Sequence, residues 1–389
     1  MPVGSPDHPA SFTAWAFTER SEVLSKVTLP WKDPAEGQVV IKVLACGVCG
    51  TDQALTTGAL PVPLPRVPGH EIVGDVVAVG PSEKQWSVGD RVGAGCHGGH
   101  CFRCSRCRIG DYITCVEDNL IGVLSDGGYA EYVTVRTEAV AAVPRDMDPA
   151  EVAPMMCAGV TVFSMTLQPS SVAHDTDADI CPDALRRVNL AAGEIVAVQG
   201  IGYVPHTPSR APLEPTLSLL LTLTRAYISG LGHLALQMAR AMGYRPVALS
   251  SGPGKEELAR SLGAEIYFDG SRTDHAEELR KLGGAKVIMC TANAPELYPK
   301  LIPGLAVDGT LLMLAADNRE FGISSMSLVR QRFSIRGMPN GTPKEIEDCI
   351  AFVKAHKIRC MVETFPLDKT PEAYKRRETA RFRSIIIVS

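Results

Sequence analysis

The hydrophobic pattern changes character partway along the chain. From residue 12 to 46 apolar and polar positions alternate loosely, and QVVIKVLACG (38–47) has the β-branched content of a strand. EIVGDVVAVG (71–80) and DRVGAG (90–95) repeat the pattern between Pro, Ser and Gly punctuation, and GGYAEYVTVRTEAVAAVP (127–144) continues it. Short strands with glycine-rich turns predict a β-rich first domain. The rhythm then lengthens. EIVAVQGIG (194–202) reads as a buried strand ending in glycines, HLALQMARAMG (233–243) as a helix closed by glycine, and RPVALSS (245–251) as the next strand. EELARSLGA predicts a further helix, and KVIMC and GTLLMLAA two further strands. Strand, helix and strand at this spacing predict an α/β domain on a parallel sheet covered on both faces. After about residue 335 come a helix in PKEIEDCIAFVKAHKI, the segment ETFPL, an amphipathic stretch and a final strand RSIIIV. These last residues are expected to return and complete the first domain.

Composition narrows the picture without overturning it. A length of 389 residues suits two domains rather than one core. Lys+Arg 39 against Asp+Glu 43 gives a net charge of −4, without the basic excess of a nucleic-acid binder. Hydrophobic residues at 45% and charged residues at 21% exclude a wholly disordered chain. The start, MPVGSPDHPASFTAW, lacks a basic region followed by an apolar run, and the greasiest stretch, LSLLLTLT (217–224), is less than half a membrane span. A cytoplasmic protein with no membrane and no nucleic-acid partner is expected.

Cysteine placement carries the first chemistry. Of twelve cysteines, Cys101, Cys104, Cys107 and Cys115 fall within fifteen residues. Two-residue spacers let neighbouring thiolates converge on one ion, and four soft thiolates suit a closed structural zinc site. Arg103, Arg106 and Arg108 in the gaps and flank carry charge that could offset the anionic cluster. Free cysteines, a pair of disulfides and an iron–sulfur centre are the competing readings. A second, dispersed set comprises GVCGTD (47–52), PGHE (68–71) and MMCAGVT (155–161). Cys49, His70 and Cys157 would give two thiolates and one imidazole with an open fourth position, the ligand pattern of a catalytic zinc. Each piece alone is a weak signal.

These pieces together resemble the zinc-dependent medium-chain alcohol dehydrogenases. The resemblance rests on GVCGTD, VPGHEIVGDVVAVG, VGDRV, the four-cysteine lobe, GGYAEYV, CAGVTVF and an interrupted GIG…GLGHLALQMARAMG, and it covers nearly the whole chain. It implies a GroES-like β-rich catalytic domain plus a Rossmann doubly wound parallel-sheet cofactor domain. The expected division is 1–160, with a structural-zinc lobe at 96–118 and completion by 336–389, and 161–335 for the nicotinamide domain. It further implies two Zn2+ per chain, on Cys49, His70 and Cys157 (with Glu71 as an alternative ligand) and on Cys101, Cys104, Cys107 and Cys115. Zinc would polarise an alcohol or carbonyl oxygen while hydride moves to or from the nicotinamide. Thr51 falls where the family passes a proton towards solvent, and Asp52 would accept a hydrogen bond from the far ring nitrogen of His70. Where many relatives carry a relay histidine, this chain has Gln53 and Ala54.

Cofactor residues are expected at Thr161, at Gly200, Gly202, Gly230, Leu231 and Gly232 of the glycine turn, and at Ser250, Ser251 and Lys255 after the second sheet strand. Hydroxyls and a lysine in place of the usual carboxylate favour NADP(H) over NAD(H). Glu256 and Glu257 are expected in the first turn of the next helix. Trp86, Met155, Met156 and Phe163 read as core filler before substrate lining. The resemblance implies a small alcohol or aldehyde substrate and a homodimer or homotetramer. A zinc-free reductase or a catalytically impaired homologue on the same fold is the alternative.

Two stretches break the pattern. The motif G-x-G-x-x-G needs its glycines adjacent, because backbone and helix amides must converge on one pyrophosphate. Here Gly200, Ile201 and Gly202 are followed by YVPHTPSRAPLEPTLSLLLTLTRAYIS (203–229) before GLGH resumes. Removing 203–229 restores AVQGIG-GLGHLALQMARAMG. A second stretch, 165–183, separates TVFS from ALRRVNLAAGE, pieces that resemble one helix. Taking out both leaves a length natural for the family. Both read as intervening sequence translated in frame, with surface insertion as the alternative.

Overall fold

The computed structural model describes residues 8–57, 62–166, 190–201, 230–316, 318–377, 379–380 and 382–388. The stretch 203–229, Gly202 and almost all of 165–183 therefore lie outside the described residues. Fifteen strands are described. A hairpin pairs β1 (Ser11–Ala16) antiparallel with β2 (Ser25–Pro30). A seven-stranded sheet holds β3 (Gln38–Gly47), β4 (Ile72–Val79), β5 (Arg91–Ala94), β6 (Tyr132–Arg136) and β7 (Val140–Ala142) together with β14 (Val362–Pro366) and β15 (Arg383–Ile387). Its path runs β14-β15-β3-β4-β5-β7, with β6 added to β3. β15 pairs antiparallel with β3: Ile385, Ile386 and Ile387 lie opposite Gly47, Cys46 and Ala45.

Between these two halves comes a parallel sheet of β8 (Ile195–Gln199), β9 (Arg245–Ser250), β10 (Ile266–Asp269), β11 (Ala285–Cys290), β12 (Leu305–Met313) and β13 (Ser334–Gly337). Its order, β10-β9-β8-β11-β12-β13, is that of a doubly wound dinucleotide fold, and the order reverses between β8 and β11. β8 reads IVAVQ with all five residues buried, as a strand covered on both faces requires. Asp274 caps the helix His275–Lys281 through the Glu277 amide, and Thr342 forms a capping box with Glu345 on the helix Pro343–His356.

Packing settles several sequence expectations. Met155, Met156 and Phe163 are buried in the core shared by the parallel sheet and the helix Pro343–His356, and Trp86 is buried in the core of the first sheet. Glu256 and Glu257 do occupy the first turn of the helix Glu256–Ser261. Among the described residues no helix is long and apolar enough to cross a membrane.

Candidate active site and metal centres

Four side chains from three separate segments converge at one end of β3 and β4, inside the seven-stranded sheet. Cys49 follows β3, His70 and Glu71 precede β4, and Cys157 precedes the helix Ala158–Thr166. One ligand atom from each lies within 4.8 Å of every other, and the two sulfurs are 3.9 Å apart. Asp52 sits behind this group and is wholly buried. It accepts the Cys49 amide at 2.9 Å, the Gly69 amide at 3.3 Å and the Tyr129 hydroxyl at 2.7 Å. Its Oδ1 is also 3.2 Å from Nδ1 of His70, near but off the hydrogen-bonding line. Asp52 thus pins both Cys49 and the histidine segment.

The donors fit a metal ion. Nε2 of His70 and Oε2 of Glu71 are buried with no hydrogen-bond partner, a costly state that coordination removes. Two sulfurs, one imidazole and a nearby carboxylate suit zinc. The hydrogen bond between the cysteines holds the Cys49 thiol well below its usual range and pushes Cys157 up. Burial pushes the Glu71 carboxyl up to about 7, against the pull of Arg383. Arg383, at the start of β15, is itself buried, 3.0 Å from Glu71, and donates to the Val48 carbonyl at 3.2 Å. Neither Arg383 nor Tyr129 was marked by the sequence. No short motif announces either, although an arginine heading an apolar terminal strand, RSIIIV, is a signal that its charge has a buried partner.

Thr51 lies at the exposed side of this group, its Oγ1 3.6 Å from the Cys49 sulfur. Gln53 does not face a relay. Its amide donates to Glu22 at 2.8 Å, and the same carboxylate takes Thr56 at 3.0 Å and Arg377 at 2.8 Å.

The second cluster forms as a lobe on the first domain. The ligand sulfurs of Cys101, Cys104, Cys107 and Cys115 lie within 4.8 Å of one another. Backbone amides already point at them: Cys104 donates to Cys101 at 3.3 Å, Cys107 to Cys104 at 3.5 Å and Cys101 to Cys115 at 3.3 Å. The Cys107 amide leads the effects that draw the Cys104 thiol down to about 6. All four are free thiols rather than disulfides. Two of the flanking arginines have carboxylate partners. Arg103 is bidentate to Glu117 at 2.8 Å, and Arg106 pairs with Asp111.

A cavity of about 480 Å³ opens at the carboxyl ends of β8, β9 and β11, where the sheet order reverses. Gly200, Ser250, Ser251, Lys255, His275 and Lys300 are among its lining. Burial lowers the pKa of the Lys255 ammonium. Gly230 precedes the helix Leu231–Ala241, and Gly232 packs on Gly200. The Thr161 hydroxyl donates to the carbonyl of Cys157, a member of the metal cluster, at 2.7 Å, and Thr161 is not among that cavity's lining.

Comparison with known proteins agrees with this geometry. Residues 35–145 match the alcohol dehydrogenase GroES-like domain, and residues 230–355 match the zinc-binding dehydrogenase family. The chain is 38% identical to the alcohol dehydrogenase patD of Penicillium expansum, over 97% of this chain and 98% of that one. It is 32% identical to an alcohol dehydrogenase of Geobacillus stearothermophilus, over 91% of each. Among solved structures, a cinnamyl alcohol dehydrogenase of Sorghum bicolor aligns over 97% of both chains, with a TM-score of 0.77 and 25% identity.

Proposed function

The chain belongs to the zinc-dependent medium-chain alcohol dehydrogenases, and from that membership we propose that it moves a hydride between a nicotinamide cofactor and a primary or secondary alcohol, aldehyde or ketone. The observation that carries the reading is the buried group of Cys49, His70, Glu71 and Cys157 with its unpartnered donor atoms. Zinc bound there would supply Lewis acidity at the substrate oxygen.

The chain's own residues do the rest. Asp52 orients Cys49 and His70 from behind, so that the donor set is ready before substrate arrives. Thr51, on the open side, holds a hydroxyl 3.6 Å from the Cys49 sulfur and takes the substrate proton towards solvent. Gln53 is tied to Glu22, which leaves Thr51, cofactor hydroxyls and water as the exit. Cys101, Cys104, Cys107 and Cys115 would hold a second zinc that fixes the lobe and takes no part in the chemistry.

We further propose NADP(H) over NAD(H). Ser250, Ser251 and Lys255 line the cofactor cavity where an NAD enzyme places a carboxylate on the ribose, and a ribose phosphate gains from hydroxyls and an ammonium. The reading places the enzyme in the cytoplasm, where thiol ligands stay reduced, as a homodimer or homotetramer. Purified protein incubated with a panel of alcohols and either oxidised nicotinamide should build reduced nicotinamide absorbance, and chelation should abolish it. Activity that survives complete zinc removal would instead favour a zinc-free reductase.

A further inference from the structure

Cys157 enters the metal group from between two helices rather than from a strand end. The 3-10 helix Ala153–Met156 precedes it and the helix Ala158–Thr166 follows, and its own backbone (φ −129°, ψ −79°) continues neither. The direction of its thiol is therefore set by whatever holds the peptide groups on either side. Part of that hold is local. The Cys157 amide donates to the Pro154 carbonyl at 3.3 Å, and the Cys157 carbonyl accepts the Thr161 amide at 3.0 Å and the Thr161 hydroxyl at 2.7 Å.

The rest comes from a distant part of the chain. Asn340 lies just beyond β13, where the chain leaves the parallel sheet for the helix Pro343–His356. Its Nδ2 donates to the Met156 carbonyl at 3.3 Å. Its Oδ1 accepts the Gly341 amide at 2.9 Å and stands 3.4 Å from the Thr161 hydroxyl. One carboxamide thus holds the peptide group entering Cys157 and touches the hydroxyl that holds the peptide group leaving it. Asparagine suits the place because its nitrogen only donates and its oxygen only accepts, matching a carbonyl on one side and an amide on the other.

The surroundings leave little play. A β-carbon on Gly95, at the end of β5, would stand 2.5 Å from the Met156 carbonyl oxygen, and one on Gly341 would overlap Cγ2 of Val160. The Met156 carbonyl is boxed between β5 and Asn340, and the turn at 340–341 is pressed against the helix that follows Cys157. Swinging Cys157 out of the group requires breaking the Asn340 contacts.

We infer that Asn340 is a positioning residue for the catalytic metal, holding the two peptide groups that flank Cys157, one directly and one through Thr161. The crossover from the parallel sheet to the first domain thereby grips one ligand of the site. The inference rests on the reading above of Cys157 as a zinc ligand; Asn340 itself touches neither metal nor substrate.

Asn340→Asp tests it, because aspartate keeps the shape and the acceptor for Gly341 but turns an oxygen towards the Met156 carbonyl. Zinc-loaded parent and variant are exposed to a chromophoric chelator, with the zinc of the four-cysteine lobe as internal reference. The catalytic zinc should leave the variant at least about tenfold faster than the parent, and the lobe zinc at the parent's rate. With cobalt exchanged into the catalytic site, the sulfur-to-metal absorption should weaken or shift in the variant. Release of both zincs at the parent's rates, or equal acceleration of both, overturns the inference. Hydrogen exchange on the unaltered protein needs no variant. If the grip and the metal are coupled, each stabilises the other, so the Gly341 amide should exchange at least about tenfold more slowly with two zincs bound than after chelation to one. Equal exchange overturns the inference. A parent that takes up only the lobe zinc overturns the metal reading and this inference with it, whereas a two-zinc parent with an indistinguishable variant overturns this inference alone.

Discussion

Arg383 and Glu71 form an ion pair at 3.0 Å with both side chains withdrawn from solvent, one from β15 and one beside His70 of the candidate metal group. A buried pair of this kind contributes little over an apolar pair of equal shape, but losing one partner strands a charge.

Converting Arg383 to Met in the zinc-loaded protein should therefore destabilise it by about 3–5 kcal/mol. Adding Glu71→Gln should recover most of that loss. Urea unfolding of the two variants measures both effects. A single variant as stable as the parent would show that Glu71 finds another partner.

The two zinc sites should separate by variant. Cys104→Ser removes one of four closed ligands and is expected to lose one zinc and lower the melting temperature. His70→Ala is expected to lose activity and the other zinc with the fold largely kept, because the open site is not built to hold the lobe together. Elemental analysis with thermal melts reads out both. Equal loss of structure in the two variants contradicts the division of labour.

Cofactor preference should respond to Lys255. A charge-assisted hydrogen bond to a ribose phosphate is worth about 1.5–3 kcal/mol, so Lys255→Ala should weaken NADPH binding about tenfold to 150-fold and leave NADH nearly unchanged. Parallel titrations of NADPH and NADH decide it. NADH binding more tightly than NADPH before any substitution reverses the assignment.

Acid should weaken the fold through His233. This residue opens the helix Leu231–Ala241, is fully buried against Phe382 with ring centres 4.2 Å apart, and burial lowers its pKa to about 3. The unfolded chain takes up that proton near 6.5, so stability is constant above that value and falls as pH drops towards 3. Between about pH 7 and pH 5 the loss from this group is about 2 kcal/mol. His233→Gln should shallow that decline relative to the parent, as followed by urea midpoints across the range. An unchanged acid limb would show that His233 protonates within the folded state.

How much of this was legible in the sequence depends on whether the partners are local. Cys101, Cys104, Cys107 and Cys115 are close in the chain, and their spacing alone fixes that they can share an ion. The strands around β3 and β8 follow from alternation and burial runs. The catalytic group was legible only through motif resemblance, since Cys49 and Cys157 are far apart and each alone is indistinguishable from a buried thiol. Tyr129 and the Glu22–Gln53 bond lay beyond reach, because a long-range polar contact leaves no periodic trace, and Arg383 left only its place at the head of an apolar strand, which does not name its partner. The Thr161 hydroxyl bonds back to the carbonyl four residues earlier, as helix hydroxyls readily do, a contact that the sequence does not announce.

The pairing of β15 with β3 also dictates a timetable. Along one edge of β3, β6 pairs with Gln38–Lys42 but only β15 pairs with Ala45–Gly47, so the end of the strand that leads to Cys49 stays open on that edge until residues 385–387 have been made. Contacts of such separation are slow to form, and a sheet edge left open in the meantime invites pairing with other chains. The parallel sheet between them can collapse first, since its strands follow one another closely. Closure of the group around Cys49 should thus wait for β15. Truncation before Arg383 should release chains that hold the four-cysteine lobe, lack the arginine beside Glu71, and aggregate through the open end of β3.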